Sequence, residues 1–248
     1  MRGCRVSGDE RVMIVIRSLV FLICAFILTF LMGIAAIPVR LVFKRSALAY
    51  ARLWCRLLLR MLHVICGIDY RVVGYELLPK EGPFLIASQH QSAFDTLLWM
   101  TLLPAPAYVM KEELTKIPLV GPMLLLTGMM PVERSAGAKA LRSLLKVTDQ
   151  AVAAGRQIII FPEGTRVPWG QKEPLKPGVA AMARHSGLPL FPVATDSGRF
   201  WGRAAFLKYP GTISVVVCPA VSGRDRAALL GDIEEAWSKG QERIASGL

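Results

Sequence analysis

The chain has 248 residues and a mass of 27.2 kDa, long enough to bury a full core. Its 53% hydrophobic and 19% charged residues, with a mean hydropathy of +0.44, disfavour a purely cytosolic globule and place part of the chain against lipid. The formal charge of +12 is concentrated at one end: residues 1–60 hold ten Lys and Arg against Asp9 and Glu10, a balance of +8, which leaves +4 for the remaining 188 residues. These arginines flank apolar runs and no nucleic-acid module accompanies them, so the basic character points to anionic lipid and not to nucleic acid.

Cys4, Cys24, Cys55, Cys66 and Cys218 form no C-x-x-C spacing, and histidine occurs only at 63, 90 and 185. Neither a zinc cage nor a disulfide framework is expected, and the thiols read as reduced and cytoplasmic-side.

The first element is a charge-free run of 22 residues, 18–39. As a helix it measures about 33 Å, enough for a bilayer core of about 30 Å. A signal peptide is the competing reading, but its apolar core is shorter and no A-x-A site follows; Gly33-x-Ala35 is a weak substitute. Gly33 and Pro38 also allow a bend into a half-inserted hairpin, so one full span and a monotopic anchor both stay open. Six Lys and Arg follow the run against four before it, a small excess that votes for a cytoplasmic active site.

Residues 46–66 come next. Arg45, Ala49, Arg52, Arg56, Arg60 and His63 recur at spacings of three and four, which puts them on one stripe of a helix. Leu53, Trp54, Leu57, Leu58, Met61, Leu62 and Ile65 fill the rest. The pattern suits a basic amphipathic helix at a phospholipid surface, and also a solvated helix face packed on the protein. Residues 1–67 therefore read as a membrane anchor and 68–248 as an αβ domain.

From residue 69 short β-rich runs alternate with helical stretches. Strands are expected at 70–73, 84–88, 108–110, 129–132, 157–161, 190–194 and 213–218, and helices at 93–103, 138–154, 179–186 and 226–245. This order predicts an α/β fold, a mostly parallel sheet flanked by helices, with ligands near the strand ends. The prolines in Leu188-Pro189-Leu190-Phe191-Pro192-Val193 read as a sheet edge or a turn into the site.

Four elements carry chemistry. Gln89-His90-Gln91-Ser92-Ala93-Phe94-Asp95 follows the 84–88 strand. A five-residue offset is about 140° around a helix, so His90 meets Asp95 only from the turn before the helix. Ser92 as N-cap with Asp95 three residues on matches a capping box, which alone would account for the carboxylate. The same fold-back lets Asp95 accept one imidazole N–H and leaves the other nitrogen free as a general base.

Phe161-Pro162-Glu163-Gly164-Thr165-Arg166 follows the most apolar strand. Pro and Gly force a tight turn, and Arg166 offers a planar fork suited to phosphate. In the third element, from Lys111-Glu112-Glu113-Leu114 to Glu133-Arg134, Lys111 and Arg134 can join Arg166 in a cationic pocket or remain ordinary surface charges. The proline-rich 188–193 run is the fourth. A nucleophile elbow, a P-loop and a dinucleotide fingerprint are all absent from the sequence, so direct attack by a substrate group is favoured over an acyl-enzyme.

In this order and spacing the four elements resemble the glycerolipid acyltransferases, specifically the bacterial 1-acylglycerol-3-phosphate acyltransferases, over about residues 60–220. The resemblance implies that His90, oriented by Asp95, deprotonates the sn-2 hydroxyl of lysophosphatidic acid, which then attacks an acyl thioester. It implies that Glu163, Gly164, Thr165 and Arg166 help bind the glycerol phosphate. The donor would be acyl-CoA or acyl-carrier protein, with no metal and no other cofactor, at a phospholipid membrane.

Three positions depart from the family pattern: Gln89 stands where Asn is common, Pro131 where an aromatic or aliphatic residue is usual, and Glu133 where Asp is common. They leave the acceptor open, since relatives that acylate lyso-ornithine lipids or other lysophospholipids share the catalytic motif. A catalytically silent lipid-binding protein of the same fold is the reading from a different class.

Overall fold

A computed structural model describes residues 8–133, 138–223 and 225–248. The charge-free run lies inside one helix, α1 (Gly8–Leu41), with Asp9 and Glu10 in its first turn and Arg40 in its last, each sign at the end the helix dipole favours. Its 34 residues make it about 51 Å long.

Gly33 and Pro38 both lie within α1, which runs on to Leu41 without interruption. Pro38 sits in the last turn, where its ring forfeits one bond to the carbonyl four residues back, while its own carbonyl accepts from the amides of Val42 and Phe43. The chain reverses after Leu41 into α2 (Ala47–Cys66). The two helices pack antiparallel: the Tyr50 hydroxyl donates to the Met32 carbonyl at 2.6 Å and the Trp54 indole to Thr29 Oγ1 at 3.1 Å. On its other side α1 exposes an apolar face, with Phe26 73% and Leu31 58% accessible.

The sequence stripe on α2 is exposed at Arg45, Ala49, Arg56, Arg60 and His63. The opposite face buries Cys55, Leu58, Leu62 and Cys66 in the core that also holds Ile86, Ile159, Val193 and Val215. Arg52 departs from the stripe. Its guanidinium donates to the carbonyls of Met100, Leu103 and Pro104, closing the C-terminal end of the next helix. Helix α2 stops at Gly67, whose φ of 67° is the left-handed conformation that favours glycine.

The seven expected strands form one sheet: β1 (Ile68–Val73), β2 (Phe84–Ser88), β3 (Pro106–Lys111), β4 (Met130–Val132), β5 (Gln157–Ile160), β6 (Leu190–Thr195) and β7 (Gly211–Val217), in the order β1-β7-β6-β2-β5-β3-β4. All pairings are parallel except β6 with β7. The helices are α3 (Phe94–Leu102), α4 (Gly121–Leu126), α5 (Ala138–Ala153), α6 (Gly178–Ser186), α7 (Ser197–Phe200) and α8 (Arg226–Ala245); α4 and α7 were not expected. Helices α1, α2 and α3 cover one face, α5, α6 and α8 the other. Strands buried on both faces explain the unbroken Ile158-Ile159-Ile160 run.

The 190–194 strand is not an edge. It lies between β2 and β7, and Pro192 is tolerated there because the antiparallel register with β7 covers only Val193–Thr195. One pair beyond the end of that ladder, the Pro192 carbonyl still accepts from the Cys218 amide at 2.9 Å, while no donation is needed from the proline nitrogen.

Candidate active site

Neighbouring strands β2 and β5 are followed by connections that leave toward opposite faces, α3 to one and α6 to the other. The space beyond their C-terminal ends is the switch point at which open α/β sheets hold ligands. His90 leaves β2 there and the Phe161–Arg166 turn leaves β5.

His90 and Asp95 meet as their spacing requires. Nδ1 lies 3.1 Å from Asp95 Oδ2, which also accepts the amides of Gln91 at 2.8 Å and Ser92 at 2.9 Å. Three donors converge on one oxygen of a carboxylate whose residue is 3% exposed. Donation from Nδ1 leaves Nε2 with the free lone pair.

The capping box is half realised. Asp95 takes the Ser92 amide, but Ser92 Oγ accepts from Phe94 at 3.2 Å instead of from Asp95, and α3 begins one residue later than expected.

The Phe161–Arg166 turn grips the histidine. Phe161 stacks on the imidazole with ring centroids 4.0 Å apart, and Tyr108 stacks on Phe161 from beyond. The Gly164 amide closes a β-turn onto the Phe161 carbonyl at 2.9 Å, with Pro162 in the position where its fixed φ is favourable. Gly164 has a φ of 73°, which the turn requires and glycine supplies.

Glu163 is buried beneath His90 and accepts its backbone amide at 2.7 Å. Burial pushes this carboxyl up to about 8; the His90 amide opposes the rise, and the nearby Asp95 and Glu173 charges add to it. On the far side of Arg166 the Val167 amide donates to the His90 carbonyl at 2.7 Å. Both backbone groups of His90 are therefore held by the turn.

Thr165 and Arg166 are half-buried on the same turn. Lys111 is exposed at the end of β3 and lines, with Gly164, a groove of about 960 Å³ on the α5 and α6 face. Its walls include Val109, Leu141, Leu144 and Ile160. Lys111 thus stands on the groove side of the turn, and Arg166 is the last residue of the turn itself. Arg134 lies outside the described residues. Among the described residues no group of three His, Cys, Asp or Glu side chains is placed to hold a metal ion.

The glutamines beside His90 hold scaffold contacts that their positions in the sequence do not reveal. Gln89 Oε1 accepts from the Thr195 amide at 3.1 Å and from the Gln241 side chain, and Gln91 Oε1 accepts from Gly198 at 3.0 Å. They tie the end of β2 to β6, α7 and α8. Two glutamines bracketing a histidine were the only signal available.

A buried carboxylate beside an imidazole is the arrangement that a general base requires. The Acyltransferase family model matches residues 69–196, and the chain belongs to that family. Over 188 residues it is 38% identical to a Pseudomonas aeruginosa protein named 1-acyl-sn-glycerol-3-phosphate acyltransferase, covering 74% of this chain and 73% of the relative. It is 29% identical over 194 residues to the mouse 1-acyl-sn-glycerol-3-phosphate acyltransferase alpha, 77% of this chain and 67% of that one. The fold matches the crystal structure of the 1-acyl-sn-glycerophosphate (LPA) acyltransferase PlsC from Thermotoga maritima with a TM-score of 0.66 at 23% identity, over 90% of this chain and 97% of that chain.

Proposed function

We propose that the protein transfers an acyl chain from an acyl thioester, acyl-CoA or acyl-carrier protein, to the sn-2 hydroxyl of lysophosphatidic acid, forming phosphatidic acid. The observation that carries this is the His90–Asp95 pair clamped by the Phe161–Arg166 turn, in a chain whose relatives bear that activity in their names.

In the reaction, Nε2 of His90 takes the hydroxyl proton while the oxygen attacks the thioester carbonyl. Asp95 stabilises the imidazolium that forms. As the tetrahedral intermediate collapses, the carbon–sulfur bond breaks and the imidazolium returns the proton to the departing thiolate. Atoms and charge balance without a further cofactor.

Arg166, beside the turn, faces the acceptor's phosphate with a fork able to bind it bidentately, and Lys111 adds charge on the groove side. The apolar groove by Gly164 offers a wall for an acyl chain. Residues 1–67 act as the membrane anchor of the 68–248 catalytic domain: α1 presents its apolar face to lipid, the exposed arginines of α2 meet anionic head groups, and the active site faces the cytoplasm.

The test is an acceptor panel with radiolabelled acyl-CoA and purified protein. Labelled phosphatidic acid formed from lysophosphatidic acid, well ahead of product from lyso-ornithine lipid, is the expected result. Acylation of another lysolipid in its place would reassign the acceptor, and no thioester cleavage with any lysolipid would leave a lipid-binding protein.

A further inference from the structure

Cationic side chains stand on both sides of the Phe161–Arg166 turn, and only one side is accounted for by the acceptor. Beyond Arg166 the chain passes Trp169 and meets the segment that begins with α7. This segment lies against the residue next to the catalytic histidine: the Gly198 amide donates to Gln91 Oε1 at 3.0 Å. A Cβ on Gly198 would come to 3.0 Å from Gln91 Cβ and 3.3 Å from the Trp169 amide, so the two segments lie in close contact here.

Two arginines project from this segment. The Arg199 guanidinium carbon sits 5.6 Å from the centroid of the Trp169 ring and 5.7 Å from that of Phe200, with Nη1 3.4 Å from the buried Asp196 carboxylate. The exposed Arg203 reaches the Arg166 carbonyl at 3.4 Å. Both arginines are thus tied to the short stretch from Arg166 to Trp169, and Trp169 is 37% exposed.

We propose that Arg199, Arg203 and Trp169 form the docking site for the nucleotide end of a coenzyme A thioester, beside His90 and opposite the Lys111 side of the turn. The proposal rests on the acyl-transfer reading above. That reaction joins two phosphate-bearing substrates at one histidine, so it needs two anion-binding flanks. Guanidinium groups suit the donor's diphosphate and ribose phosphate, and an exposed indole with a stacked arginine suits its purine. The three residues are gathered on the short stretch from Arg166 to Trp169 and the segment that meets it. An acidic helix of a carrier protein would call for charges spread over a longer surface.

The experiment compares wild type with Arg203→Gln and with the double variant Arg199→Ala/Arg203→Ala, using acyl-CoA, acyl-pantetheine and acyl-carrier protein as donors. Arg203 is exposed, so its single variant keeps the fold if loss of the Asp196 partner unfolds the double one. The KM for acyl-CoA should rise about three-fold in Arg203→Gln and about thirty-fold in the double variant. The kcat and the KM for lysophosphatidic acid should stay unchanged, and with acyl-pantetheine, which has no nucleotide, the variants should match wild type.

Equal losses with acyl-pantetheine, a raised acceptor KM, an effect confined to acyl-carrier protein, or no effect at all would each overturn the assignment. Binding of free coenzyme A, measured without acceptor, separates this proposal from the functional reading. Weaker binding by Arg203→Gln supports the docking site even if the acceptor panel fails, and unchanged binding refutes the site even if that panel succeeds.

Discussion

Glu163→Gln separates the brace beneath His90 from the charge of that brace. Glu163 is 6% exposed, accepts the His90 amide at 2.7 Å, and is pushed by burial from 4.5 up to about 8. Between these values the folded protein keeps a proton that the unfolded chain has released. Stability therefore falls as pH rises from about 4.5 to about 8 and is flat in this respect above it. At about 1.36 kcal/mol per unit, the largest loss is of the order of 5 kcal/mol. Glutamine preserves a carbonyl acceptor for the His90 amide and has no proton to lose. Denaturant unfolding in detergent, measured from pH 4 to pH 9, should show the Glu163→Gln and wild-type curves separating through this window, with the variant the more stable at the alkaline end. Relative to Glu163→Gln, Glu163→Leu should lose about 1–3 kcal/mol at every pH, because it leaves a buried amide unpaired. Parallel pH curves for wild type and Glu163→Gln would refute the reasoning.

Three further outcomes follow from the same geometry. Asp95→Asn should lower kcat roughly 10²-fold by weakening the hold on the imidazole, whereas a purely capping role would cost about 1 kcal/mol of stability and leave turnover intact; kinetics and unfolding on one preparation tell these apart. Arg166→Ala should reduce kcat/KM for lysophosphatidic acid roughly ten-fold to 150-fold, and Arg166→Lys should recover only part of it, since a point charge lacks the fork; full recovery with lysine would remove the bidentate contact. Membranes washed with one molar salt should retain the full-length protein, because insertion of the α1 apolar face is not screened; release by salt alone would show that only the α2 arginines attach it.

Seven strands and six of the eight α-helices were legible because each carries an apolar run or a helical stripe. What escaped was set by tertiary context. Pro192 reads as an edge residue on local rules, yet the ladder to β7 ends one residue short of it, so a central strand tolerates it. Arg52 looked identical to Arg56 and Arg60, and only the arrival of α3 beside α2 turns it into a cap for the carbonyls of Met100, Leu103 and Pro104. Helix α7 is four residues long, too short for any periodicity to announce it.

At the site, His90 and Asp95 were recoverable because the fold-back that joins them is local. The grip on His90 was not, for Phe161, Glu163 and Val167 approach it from more than seventy residues away. Of the family departures, Gln89 is occupied by the Thr195 amide and Gln241, which places that difference in the scaffold beneath the histidine.

The most direct measurement is turnover of His90→Ala with lysophosphatidic acid and acyl-CoA, on protein shown to be folded by its unfolding transition. His90 contributes a ring that stacks on Phe161 and a backbone held at both its amide and its carbonyl, and the substitution leaves that backbone grip in place. Phosphatidic acid formation should fall roughly 10²-fold to 10⁴-fold in kcat with the acceptor KM little changed. Near-normal turnover by a folded His90→Ala protein would contradict general-base catalysis at this site.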